Sequence, residues 1–80
     1  MVIEQYAISI IYQNRIWHLP VTIEQDGPFD KITVGINGEE VYFARDDHDG
    51  LMPVSHRDHF EPQFLYLVGL AVQQQRKMYN

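Results

Sequence analysis

Asn37-Gly38 stands between two short apolar alternations, Ile32, Val34 and Ile36 before it and Val41 and Phe43 after it. Asn-Gly is the favoured pair for a two-residue type I′ turn, because both positions need a left-handed backbone that these residues tolerate best. With those two residues as the loop, Val34 faces Val41 and Ile32 faces Phe43, so turn chemistry and hydrophobic register agree. The chain is thereby committed to an antiparallel hairpin with one apolar face.

The upstream half shows the same period of two. Tyr6, Ile8, Ile10 and Tyr12 alternate with Ala7, Ser9 and Ile11, and Trp17, Leu19, Val21 and Ile23 alternate with His18, Pro20 and Thr22. An even-membered turn around Asn14-Arg15 places Tyr12 opposite Trp17 and Ile10 opposite Leu19, with both apolar sets on one face. His18 then points to the other face, and Trp17 is read as a core anchor. Asp26-Gly27-Pro28 breaks the pattern before the Asn-Gly hairpin. Pro20 donates no ladder hydrogen bond, so its strand is expected at an edge or a bulge, which weakens a 1-2-3-4 order and leaves 2-1-4-3 open.

Glu61-Pro62 marks a helix start, since the residue before proline is pushed out of the α region and proline suits the first helical position. The spacing predicts a helix from Pro62 to about Lys77, with Phe64, Leu65, Val68, Ala71, Val72 and Met78 on the arc facing the sheet. Tyr66 and Leu70 fall outside that arc, and Gly69 lies off its centre, where it would allow close approach by another backbone; these three are the candidate subunit interface, the alternative being that one wide face wraps into the sheet's curvature. The connection between the last strand and the helix is about 15 residues, long enough to be functional. Leu51–Val54 could add a short strand there, confined to an edge by Pro53. The predicted fold is α+β: a four-stranded, mainly antiparallel sheet of hairpins 1-2 and 3-4, with one C-terminal helix packed on one face, over a single domain of residues 1–80.

That long connection carries the chain's only concentrated polar chemistry. Between Arg45 and Glu61 lie three of the four histidines, His48, His56 and His59, with Asp46, Asp47, Asp49, Asp58 and Glu61. Imidazoles beside carboxylates suit a zinc-like metal or a proton-responsive contact. The candidate metal ligands are His48, His56, His59 and Asp49. A calcium loop aligned on Gly50 fails, because Arg45 and His56 fall where terminal carboxylate ligands are needed. His56-Arg57-Asp58-His59 gives an H-x-x-H spacing without the glutamate of a zinc protease. Asp58 and Glu61, three apart, also match a capping box at the helix start.

Catalytic signatures are missing. Ser9 lies in a strand and Ser55 merely precedes His56, which is not triad geometry, and Gly35-Ile36-Asn37-Gly38 is explained by the hairpin rather than by a phosphate loop. With a net charge of −5 and only six Lys and Arg, the chain lacks the basic surface that nucleic-acid binding needs. No cysteine is present, so neither disulfides nor thiolate ligands contribute, and a reducing compartment fits. The N-terminal residues have no basic region of the signal-peptide type, and the apolar run Phe64 to Val72 is nine residues against the roughly 18 that span a bilayer. The expectation is a cytoplasmic, non-membrane protein. At 80 residues a chain buries comparatively little surface, so help from a second copy is expected. The functional expectation is a small non-enzymatic interaction module, a homodimer or the binder of a protein partner, with metal or proton response through residues 45–61 as the alternative.

Overall fold

The computed structural model describes residues 2–27, 29–45 and 50–79. Five strands precede one helix: β1 (Val2–Tyr12), β2 (Arg15–Asp26), β3 (Phe29–Ile36), β4 (Glu39–Arg45), β5 (Leu51–Pro53) and α1 (Pro62–Tyr79). The strands form one antiparallel sheet in the order β1-β2-β3-β4-β5. The α+β expectation holds, with five strands in place of four. Among the described residues, no helix is long and apolar enough to cross a membrane.

The Asn-Gly hairpin has the predicted register, Val34 against Val41 and Ile32 against Phe43, with Asn37 and Gly38 at φ 52° and 82°. The first hairpin differs by two residues. Its turn is Gln13-Asn14, at φ 52° and 62°, so Tyr12 pairs with Arg15, Ile10 with Trp17 and Ile8 with Leu19. A shift of two preserves the face of every side chain, which is why the apolar sets still coincide. Gln13 adopts a left-handed backbone that residues other than glycine, asparagine and aspartate seldom take, so its sequence carries no turn signature.

The strand order is a plain meander, and β2 is central despite Pro20. The β2–β3 ladder ends at Val21 and Val34, one residue short of Pro20, so no β3 bond is lost there. Pro53 behaves as expected at an edge. Val54 N–H donates to Tyr42 O at 2.8 Å, so the alternating backbone turns the nitrogen of Pro53 outward, where no ladder partner awaits it.

The core lies between one sheet face and α1. Ile8, Ile10, Leu19, Val21, Ile23, Ile32, Val34, Ile36, Val41 and Phe43 meet Phe64, Leu65, Val68 and Val72, all buried, with Ala71 packed at the margin. Phe64 centres an aromatic group at one sheet end: Trp17 and Tyr12 contact it edge-on at centroid distances of 5.0 and 5.3 Å, and Phe60 stacks at 6.1 Å. Trp17 is an anchor only partly enclosed. The Arg15 guanidinium covers its ring at 4.5 Å, and its indole Nε1 is buried without a hydrogen-bond partner among the described residues. Tyr6 donates its hydroxyl to Val72 O at 3.3 Å, tying β1 to the later turns of the helix.

Candidate functional site: a histidine–glutamate cluster at the helix start

Four reversals of the meander decide where the candidate residues fall. The turns Gln13-Asn14 and Asn37-Gly38 lie at the same end of the sheet, and β5, antiparallel to β4, delivers the chain back to that end. Ser55 continues the β4–β5 contact with its side chain, its Oγ accepting the Tyr42 N–H at 3.0 Å. His56 then reverses the backbone at φ 54°, and His59 N–H donates to His56 O at 3.1 Å to close the turn. Phe60 tucks against Phe64, and Glu61 O accepts the first helical bond from Leu65 N–H at 3.1 Å. The two histidines are thereby held on a short turn between a strand and a helix.

That turn sets His56 and His59 side by side, ring centroids 5.2 Å apart. Glu39, the first residue of β4, faces them, its Oε1 3.0 Å and Oε2 3.2 Å from His59 Nδ1. One potential ligand atom from each of Glu39, His56 and His59 lies within 4.8 Å of the others. His56 and His59 are exposed and Glu39 half-buried, so the three groups border solvent. His56 Nδ1 is 3.3 Å from Ser55 Oγ. With Nδ1–H donating to that oxygen, Nε2 carries the free lone pair.

Of the four ligands predicted from sequence, His56 and His59 come together, whereas His48 and Asp49 lie outside the described residues. Glu39 was missed because it sits outside the histidine-rich stretch. Its only signal is indirect: the Asn-Gly register pairs it with the buried Ile36, which puts it on the helix-facing side at the sheet end. The capping-box expectation is corrected. Glu61 is the residue preceding the helix, but its carboxylate accepts a hydrogen bond from the Tyr12 hydroxyl, while Asp58 is exposed and makes no hydrogen bond among the described residues. The hydrogen bond to Glu61, then desolvation, then the carboxylate's charge hold the Tyr12 hydroxyl above its ordinary range.

The residues set aside for an interface separate. Tyr66 is exposed and borders an open groove of about 740 Å³ between β5 and α1, shared with Met52, Val54, His56 and Leu65. Leu70 is half-buried. Gly69 is buried within the chain, where a Cβ would lie 3.2 Å from Leu51 O, so the close backbone approach it permits is that of β5. His18 lies on the opposite sheet face, 2.9 Å from Ser9 Oγ, its cross-strand neighbour. No family model, curated protein or solved structure matches this chain at a significant level.

Proposed function

We propose that the protein is a non-enzymatic self-association module in which two copies pair antiparallel along β1. The observation that supports this reading is the asymmetry of the two sheet edges. β5 is three residues long and turns the donorless nitrogen of Pro53 outward, both of which blunt an edge. β1 is 11 residues long with, among the described residues, a ladder partner only in β2; it contains no proline, lysine or glycine and carries one charge, Glu4. An edge of that length and composition is a template for another strand.

The second copy is favoured as occupant by the order of side chains on the outer face. Ile3, Gln5, Ala7, Ser9 and Ile11 read nearly alike in both directions about Ala7, the self-complementarity that a two-fold interface requires. Centred on Ala7, antiparallel pairing sets Ile3 of one copy against Ile11 of the other at both ends, covering side chains that are 54% and 73% exposed. It also sets Glu4 against Ile10 rather than against another acid. In a chain of net charge −5, copies repel, and this edge, with Glu4 as its one charge, adds little to that repulsion. Roughly ten backbone hydrogen bonds would form along such a pair.

Light scattering at tens of micromolar tests the reading. A dimer in the native chain and a monomer after Ile3→Lys with Ile11→Lys are the expected results. Both side chains are exposed, so the double variant keeps its circular dichroism spectrum. A native monomer, or a dimer that ignores both lysines, overturns the proposal.

A further inference from the structure

We propose that Glu39, His56 and His59 form a binding site for one divalent first-row transition metal, with zinc as the representative ion. The donor set is two imidazoles and a carboxylate, a combination that suits zinc and its neighbours and that excludes the oxygen-only preference of calcium and magnesium. Three protein ligands leave a fourth position for water at this solvent-bordered turn.

The geometry supports it from two directions. First, the candidate atoms are mutually within 4.8 Å, whereas ligands around a tetrahedral zinc at 2.0–2.1 Å stand about 3.4 Å apart. His59 and Glu39 are already at 3.0 Å, so closure asks only for small adjustments of side chains at a solvent-bordered turn. Second, His56 has a supporting contact of the kind metal-bound histidines use. Its Nδ1 lies 3.3 Å from Ser55 Oγ, an oxygen itself held by the Tyr42 N–H; in the tautomer whose Nδ1–H donates to that oxygen, Nε2 is the nitrogen left to ligate. The left-handed backbone of His56 and the bond from His59 N–H to His56 O hold the two rings on the same turn.

Binding here has a structural consequence. The metal joins the start of β4 to the turn before α1, two segments otherwise connected at this point by the contact between Glu39 and His59. It favours the folded state by mass action, because the unfolded chain does not hold the three ligands together.

Zinc chloride titrated calorimetrically into chelator-stripped full-length protein tests the proposal, alongside thermal melts and the visible spectrum with cobalt(II). One equivalent of zinc, a raised melting temperature and a tetrahedral cobalt spectrum are expected. His56→Ala with His59→Ala should abolish all three, and Glu39→Gln should weaken binding by at least about tenfold. These side chains border solvent, so unchanged circular dichroism in the metal-free variants separates loss of ligand from loss of fold. Absence of stoichiometric binding, or binding that survives the double histidine variant through other residues, overturns it. Dimerisation through β1 is read by light scattering and stands or falls separately.

Discussion

The ring of Pro20 fills the space that a side chain on Gly35 would need: a Cβ built at Gly35 lies 3.0 Å from Pro20 Cγ. The two residues sit just beyond Val21 and Val34, the last paired positions of β2 and β3. A proline in a central strand is tolerated here because the β2–β3 ladder stops before it and its neighbour Gly35 has no side chain.

Gly35→Val should therefore destabilise the fold by about 1–3 kcal/mol, the range for forced overpacking, although a β-branched residue ordinarily suits a strand better than glycine. Urea unfolding measures it. Repeating the substitution in a Pro20→Ala background should recover most of the loss, and equal losses in both backgrounds would refute the contact.

On a free helix surface, Gly69→Ala would stabilise by up to about 1 kcal/mol. Here the added methyl meets the Leu51 carbonyl at 3.2 Å, so that gain should vanish, and Gly69→Val should lose about 1–3 kcal/mol as β5 is pushed from the helix. Thermal melts that show the ordinary helical gain for alanine would contradict the packing of α1 on β5.

Tyr12 links the first hairpin to the helix start through the Glu61 carboxylate. That hydrogen bond, with desolvation and the carboxylate's charge, raises its hydroxyl above the ordinary value of about 10. The folded state thus holds this proton more tightly than the unfolded state. Its contribution is fully present below about pH 10 and is lost as pH rises through the raised folded value. Melting temperatures followed upward from pH 8 should fall less steeply in Tyr12→Phe than in the native chain; parallel curves would count against the link.

Phe64 is the point at which Tyr12, Trp17 and Phe60 meet. Phe64→Ala should lose about 3–5 kcal/mol, comparable to the whole stability of a small domain. The expected outcome is a chain largely unfolded at room temperature by near-ultraviolet circular dichroism, and a cooperative native-like melt would show that the cluster matters little.

Local chemistry was most legible where two local signals coincided. At Asn37-Gly38 the turn preference and the alternation demanded one register, and at Glu61-Pro62 the proline fixed the helix start. At Gln13-Asn14 only the alternation spoke, and it specifies which face a residue takes but not which partner it meets, hence the two-residue displacement. Pro20 was legible as a constraint but not as a place, since its accommodation depends on where a neighbouring strand stops.

The sequence by itself determined the Asn-Gly hairpin, the faces of the strands, the apolar arc of the helix, and the concentration of histidines ahead of it. Those follow from interactions between residues near one another along the chain, whose spacing is set by the backbone repeat. Only the tertiary structure decided the strand order, the burial of Gly69 against Leu51, and the meeting of Glu39 with His56 and His59. These depend on the number of chain reversals and on which sheet end each returns to. A hydrophobic pattern constrains faces and periods but carries no record of which distant segments share an end.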